Sequence, residues 1–364
     1  MRRLACGIVG LPNVGKSTLF NALTSKQAEA SNYPFCTIDP NVGIVDVDDP
    51  RLRILSEISK SNKIIYAPME FVDVAGLVKG ASKGEGLGNK FLATIRETDA
   101  IVQVVRCFDS SEIIHVSGKV DPIQDIEVIA LELQLSDLQM VENVLLRLEK
   151  QAKGNKDLLL VIDTLKKVQS HLNRGYPVRS LDLTVEEKEG IKAYPFLSGK
   201  KVLYVANVDD ASLGSIENEY VKQVREYATK EGNLVITICA KVEAEIAELP
   251  FEDRLAFLQS MGLEQSGLDR LIKASFDLLG LITYITTGEI ETRAWTINRG
   301  TPAVEAAGEI HSDIQKGFIR AEVIKFEDYV ACNGRAKARE LGKLRAEGRD
   351  YIVQDGDVIL FMHN

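Results

Sequence analysis

The stretch Gly10-Leu11-Pro12-Asn13-Val14-Gly15-Lys16-Ser17 decides the fold. It matches G-x-x-x-x-G-K-[ST], a loop whose glycines let successive backbone N–H groups curl around a phosphate. Upstream, the apolar run Leu4–Val9 reads as a strand; downstream, Ser17–Leu23 reads as the start of a helix. The N-terminus of that helix adds a positive dipole end. Lys16 can reach the β- and γ-phosphates of a nucleotide, and the Ser17 hydroxyl suits Mg2+. Strand, loop and helix in this order predict a nucleotide-binding α/β fold.

Further apolar runs at Val42–Val47, Met69–Val72, Ile101–Arg106, Lys201–Ala206 and Asn233–Ile238 read as strands separated by helical stretches. That alternation predicts a mostly parallel, helix-covered sheet. Between the two groups, Leu131, Leu135, Leu138, Val141, Leu145 and Leu148 step by threes and fours, as do Leu158, Val161, Leu165, Val168 and Leu172. Two such seams predict an antiparallel helical hairpin turning at Ala152–Asp157. Thr184-Val-Glu-Glu187 reads as a capping box opening a further helix. From 251 to 280 the chain reads as helix broken at Gly262 and Gly267, and Thr292–Ile297, Phe318–Val323 and Asp357–Phe361 read as strands, with a short helix at Pro302–Ile310. The expected division is a nucleotide domain of residues 1–124 and 198–280, a helical insertion at 125–197, and an α+β module at 281–364.

The whole chain has 364 residues, is 45% hydrophobic and 27% charged, and carries a net charge of −9. That apolar fraction supports a sizeable core and is too high for a disordered chain. No run of 18 apolar residues marks a membrane helix. The N-terminal Met-Arg-Arg-Leu-Ala-Cys run reads as a first strand rather than a signal peptide, because Asn13 and Lys16 cut the apolar stretch short. Cys6, Cys36, Cys107, Cys239 and Cys332 are scattered and odd in number, which fits a reducing cytoplasm and neither a disulfide framework nor a zinc site. The acidic balance excludes a surface generally attractive to nucleic acid but leaves room for a local basic patch.

Four other segments suit the same site. Asp73-Val-Ala-Gly76 follows the apolar run Met69–Val72, where a carboxylate at a strand end suits a magnesium-bound water and the Gly76 N–H can approach a γ-phosphate. Thr37 lies between the first helix and the second strand and can join the metal shell, although an ordinary loop threonine fits its spacing equally well. Asn207, Val208, Asp209 and Asp210 follow a strand, where amide and carboxylate groups suit a purine edge. Cys239, Ala240 and Lys241 follow the last strand of the sheet, where a backbone N–H can face the base. Either of these last two segments, taken alone, is also a plain loop.

Together, Gly10–Thr18, Thr37, Asp73–Gly76, Asn207–Asp210 and Cys239–Lys241 resemble the five nucleotide-site motifs of the translation-factor GTPases. The glycine-rich run from Asp73 through Val-Ala-Gly-Leu-Val-Lys-Gly-Ala-Ser-Lys-Gly-Glu-Gly-Leu-Gly resembles the Obg-related branch. Asn32-Tyr-Pro-Phe-Cys-Thr37, the helical insertion and a C-terminal module resembling a TGS domain of β-grasp fold narrow the resemblance to the YchF, or Obg-like ATPase, family. It covers essentially the whole chain. The resemblance implies a P-loop NTPase that binds ATP and can also bind GTP, and that associates with the ribosome. It implies that Asn13, Val14, Gly15, Lys16, Ser17 and Thr18 hold the phosphates, that Ser17, Thr37 and Asp73 serve Mg2+, and that the main chain at Val208 meets the base.

Two departures bear on chemistry. The GTPase base motif is Asn-Lys-x-Asp and this family usually shows Asn-x-x-Glu, whereas here Val208 replaces the lysine and Asp210 restores the guanine-type carboxylate. Family membership argues for ATP, and this side chain argues for GTP, since an inward Asp repels the adenine N1 acceptor and a buried unpaired carboxylate costs several kcal/mol. Leu77 follows Gly76 where Ras-like enzymes carry a water-orienting glutamine, so hydrolysis that depends on Lys16 and Gly76 should be slow until a partner or cation supplies the missing stabilisation. Asn13 resembles the asparagine that ligates K+ in potassium-stimulated relatives, and equally suits a loop backbone conformation.

The segments around Thr37 and from Leu77 to Gly88 read as nucleotide-dependent switches, the second with Lys79, Lys83 and Lys90 on it. Arg335, Lys337, Arg339, Lys343, Arg345 and Arg349 face only Glu340 and Glu347 in the same stretch, a local +4 that suits RNA phosphate as well as an ordinary solvated helix. The leading expectation is a slow nucleotide-hydrolysing switch acting on translation. The alternatives are a GTP-preferring enzyme, an RNA-docking module whose nucleotide is structural, and a P-loop kinase, the last opposed by the ordered switch and base motifs.

Overall fold

The computed structural model describes residues 4–25, 41–76, 87–110, 118–151, 156–213 and 217–364. Thr37, Cys36, Leu77, Lys79, Lys83 and most of the expected hairpin turn lie outside them. The chain opens with β1 (Ala5–Val9), α1 (Lys16–Thr24), β2 (Val42–Val47), α2 (Pro50–Ser59), β3 (Ile64–Ile65), β4 (Ala67–Asp73), α3 (Leu87–Glu97) and β5 (Ala100–Arg106). The arm is α4 (Pro122–Gln151), α5 (Lys156–Asn173) and α6 (Val185–Ile191), and the sheet resumes with β6 (Lys201–Asn207), α7 (Glu219–Glu231), β7 (Val235–Ile238), α8 (Ala240–Glu248), α9 (Phe251–Ser260) and α10 (Gly267–Leu278). Strand order is β2-β4-β1-β5-β6-β7, parallel except for β2 against β4. β5 is buried at every position, as a parallel strand covered on both faces must be. Because β1 has β4 on one side and β5 on the other, the crevice at the C-terminal end of β1 is the topological switch point.

The arm differs from the expected seam. Leu131 and Leu135 are 53% and 39% exposed. The reason is length: α4 has 30 residues and α5 only 18, so the first turns of α4 have no α5 beside them. There the helix turns Ile126, Ile129 and Leu133 into the core of the sheet domain instead. Only from Leu138 onward does it pack on α5, through Val141, Leu145 and Leu148 against Ile162, Leu165, Val168 and Leu172. One helix thus belongs to two cores. Buried Asp137 ties the returning chain to α4, accepting from the Leu197 and Ser198 N–H groups (both 2.8 Å) and the Ser198 hydroxyl (2.6 Å). Burial pushes its carboxyl pKa up, against the pull of those bonds. The capping box at Thr184 and Glu187 forms as its sequence dictates.

The C-terminal part comprises β8 (Leu281–Thr287), β9 (Thr292–Asn298), α11 (Ala303–Ile310), α12 (Ser312–Lys316), β10 (Phe318–Ile324), α13 (Phe326–Ala331), α14 (Arg335–Glu340), β11 (Arg345–Glu347) and β12 (Val358–His363). The basic stretch 335–349 is therefore a short helix, a turn and a strand, not one solvated helix. Strand order is β11-β10-β12-β8-β9-β3, so the nucleotide domain lends the second sheet its edge strand. α2 reinforces that junction. The Arg51 guanidinium bonds Asp49 (2.7 Å), Asp355 (2.9 Å) and the Thr283 hydroxyl (3.3 Å). Burial opposes its charge, and the two aspartates outweigh burial and raise its pKa. No helix of the described residues is long and apolar enough to cross a membrane.

Candidate functional site

The site begins where β1 ends. Gly10 leaves no room for a side chain, since a Cβ there would lie 2.8 Å from Val14 Cγ2 and 3.1 Å from the Val104 carbonyl. Val14 is buried in the sheet core and anchors the loop from below. Asn13 and Gly15 take left-handed backbone, with φ of 65° and 93°. At Gly15 a Cβ would fall 2.2 Å from Asn207 Nδ2, so glycine is required twice over. The N-terminus of α1 has no side-chain cap and no acidic residue in its first turn. Its N–H groups and the exposed Ser17 and Thr18 side chains therefore face an anion's place.

Opposite the loop, Lys16 Nζ makes an ion pair with Asp73 Oδ1, both side chains being largely shielded. Asp73 is held at the end of β4 by its N–H to the Asn41 carbonyl (2.8 Å), and Val74 N donates to the Ile8 carbonyl (3.1 Å). Gly76 ends the described stretch, with open space where a side chain would be. The structure thus brings Lys16 to Asp73, with Ser17 the next residue along α1. Among the described residues no group of three or more His, Cys, Asp or Glu forms a metal cage. One carboxylate, one hydroxyl and phosphate oxygens are the hard donor set that Mg2+ takes in such sites, with water completing the shell.

The base segment is where expectation and structure part. Asn207 is buried, its Nδ2 donating to the Val14 carbonyl (2.8 Å) and its Oδ1 accepting from Ala240 N (2.9 Å). These two bonds staple the phosphate loop to the start of α8 and leave one amide hydrogen and one oxygen lone pair of Asn207 over. The second bond takes the Ala240 N–H, one of the backbone N–H groups of the Cys239–Lys241 segment. Val208 N donates to the Ile238 carbonyl (2.8 Å), so only its carbonyl side suits a base contact. Asp209 caps the following turn through Ser212 N (3.0 Å). Asp210 does not point inward. It is 61% exposed, accepts from Ala211 N (3.0 Å), and lies 4.0 Å from Lys241 Nζ. Buried Cys239 has its thiol pKa raised by desolvation and closes the core beneath the loop.

Sequence alone did not reveal the Asn207 staple, because its two partners lie 193 and 33 residues away. Nor did it reveal Arg106, fully buried at the end of β5, whose Nε donates to the Phe108 carbonyl (3.1 Å) and whose guanidinium lies over the Phe108 ring.

With this geometry in view, the relatives fall into place. A model described as 50S ribosome-binding GTPase matches residues 5–145, and the YchF-GTPase_C model, described as a protein of unknown function, matches residues 281–364. The module expected as TGS-type is thus the one matched by the YchF-GTPase_C model. A protein named Ribosome-binding ATPase YchF from Haemophilus influenzae is 54% identical, with 99% of each chain covered. Its namesakes from Escherichia coli O157:H7 and Bacillus subtilis are 56% and 54% identical at the same coverage. The solved structure of the Schizosaccharomyces pombe YchF GTPase superposes with a TM-score of 0.90 at 35% identity, covering 100% of this chain and 98% of that one.

Proposed function

The chain belongs to the YchF family of P-loop NTPases, and from that premise we propose a slow, Mg2+-dependent ATP-hydrolysing switch that docks on the ribosome in the cytoplasm. The observation that carries the reading is the uncapped α1 N-terminus facing the paired Lys16 and Asp73. Nucleotide phosphates take over Lys16, and the loop from Asn13 to Thr18 supplies N–H groups to them. Asp73, freed from that pair, would then help hold Mg2+ together with Ser17 and Thr37. Bound Mg2+ would neutralise developing charge on the phosphates. Gly76 would offer its N–H to the γ-phosphate, and Leu77, which has no hydrogen-bonding group, orients no water. Intrinsic turnover is therefore slow. Asn13, exposed and left-handed in backbone, is the residue beside which K+ would complete the charge balance; equal turnover in NaCl and KCl would remove that assignment.

ATP is favoured because Asp210 lies outward, beside Lys241 and on Ala211 N, and presents no buried unpaired carboxylate to adenine. The base then meets the main chain around Val208 and the Cys239–Lys241 loop. GTP is also accepted, a reading favoured by the GTPase names of the S. pombe relative and the N-terminal model. Parallel titration of the purified chain with ATP and GTP, repeated on Asp210→Glu, tests this: GTP binding much tighter than ATP would defeat the assignment. Ribosome association rests on the relatives' name and is tested by co-sedimentation with and without nucleotide.

A further inference from the structure

The solvent side of the C-terminal sheet carries a charge arrangement that chain order hides. On β10, buried Glu322 accepts from Arg320 (3.1 Å), from Arg339 (2.9 Å) and from Arg335. Three guanidiniums on one carboxylate leave a local charge of about +2. Each arginine spends only one terminal nitrogen on Glu322, and their side chains stay 50%, 62% and 32% exposed, in the order Arg320, Arg339, Arg335. Arg320 comes from the sheet and the other two from α14, so the cluster spans two elements. Directly across from Glu322 in register is Leu360 of β12, 45% exposed. The result is a small apolar shelf edged by three forks.

Most other basic residues of the stretch are committed elsewhere. Arg345 bonds Glu347 (3.0 Å) and the Tyr351 hydroxyl (3.0 Å), Lys343 pairs with Asp328 (3.2 Å), and Arg349 lies over the Phe318 ring (5.8 Å). A buried carboxylate is a poor device for stability, since an apolar residue usually serves as well. It is a good device for holding planar forks at fixed angles, which is what bidentate recognition of phosphate needs.

We infer that Arg320, Arg335 and Arg339 form a seat for RNA backbone phosphates, with Glu322 as the positioning residue that fans them. The inference deepens the ribosome-directed reading above and rests on it. It also moves the expected contact away from Lys343, Arg345 and Arg349 and adds Arg320.

The test uses the full chain and a fluorescein-labelled RNA hairpin, with anisotropy read at stepped KCl concentrations. Changing all three arginines to Gln should weaken binding about tenfold or more and reduce the log K against log [KCl] slope by about 2–3. Changing Arg345 and Arg349 to Gln should leave both unchanged. Unchanged affinity and slope in the triple Gln variant overturn the seat. Because that variant strands Glu322, the triple Lys variant is measured beside it: charge is kept and the fork lost, so the slope should persist while affinity falls. Wild-type affinity in the triple Lys variant overturns the role of the fork. A poly-aspartate peptide that displaces wild-type protein from ribosomes when the hairpin does not would assign the face to an acidic protein and overturn it too. Failure of wild-type chain to sediment with ribosomes would instead defeat the ribosome-directed reading itself.

Discussion

Replacing Asn207 by Ala separates a reader of the base from a staple of the site. In the wild type its amide donates to the Val14 carbonyl at 2.8 Å and accepts from Ala240 N at 2.9 Å, both in the interior. Alanine removes both bonds and leaves a carbonyl and an N–H buried without their partner. Each orphaned group costs about 1–3 kcal/mol, so the expected loss is about 2–6 kcal/mol. Urea unfolding should show a lower midpoint at unchanged slope, the signature of a stability change alone. The Val14 end of the staple holds the phosphate loop, which both nucleotides use. Nucleotide affinity, followed by calorimetry in the folded range, should therefore fall alike for ATP and GTP. Asn207→Asp should behave similarly, since its second oxygen cannot donate to Val14. A variant of wild-type stability whose ATP to GTP ratio shifts tenfold would refute the staple and return Asn207 to base recognition.

Asp73→Asn frees Lys16 from its ion pair, so Mg2+-free ADP should bind about fivefold tighter by titration calorimetry in EDTA, the equivalent of about 1 kcal/mol, while Mg2+ no longer improves binding. In the arm, Leu145→Ala and Leu165→Ala should each cost about 2–4 kcal/mol in denaturant unfolding, whereas Leu131→Ala and Leu135→Ala should cost under about 1 kcal/mol; equal losses would restore a continuous seam. Arg51→Ala should lower the melting temperature and expose the C-terminal module to protease, because it strips Asp355 and Thr283 of their link to α2, at a cost of about 1–3 kcal/mol. Burial alone would raise the Glu322 carboxyl pKa, but hydrogen bonds from Arg320 and Arg335 hold it below its ordinary 4.5. A depressed carboxyl stabilises the folded chain above that ordinary value and loses its contribution as pH falls through the folded pKa. The fall in melting temperature from about pH 5 to pH 3 should thus be shallower in Glu322→Gln; an identical fall would show that Glu322 contributes nothing.

Much of the sheet domain was legible because its signals are local. Five expected strands of the first sheet reappear within a residue or two, and a sixth, expected at Asn233–Ile238, is confined to β7. Apolar runs of that length between glycine-rich loops leave a parallel strand little choice. The capping box at Thr184 is likewise a contact over three residues. The arm shows the limit of periodicity. Leu131 and Leu135 keep the spacing of a seam, but spacing says only that residues share a helix face. Whether a partner reaches that face depends on the length of α5 and on where α4 meets the sheet. Strand β3 was invisible for a related reason: two residues, Ile64 and Ile65, become a strand only because β9, more than 200 residues on, offers them an edge.

By itself, the sequence determined that a phosphate loop follows a buried strand, that Lys16, Ser17 and Asp73 are the candidates for its chemistry, and that no glutamine follows Gly76. Those properties sit in short stretches, where backbone freedom and side-chain reach settle the outcome. Tertiary structure alone decided what each polar group is bonded to. It made Asn207 a staple of the phosphate loop, left Asp210 exposed beside Lys241, and gathered Arg320, Arg335 and Arg339 around Glu322 while committing Arg345 to neighbours of its own. A hydrogen bond or ion pair has one partner at one distance. When that partner lies dozens to hundreds of residues away, only the folded chain brings the two together.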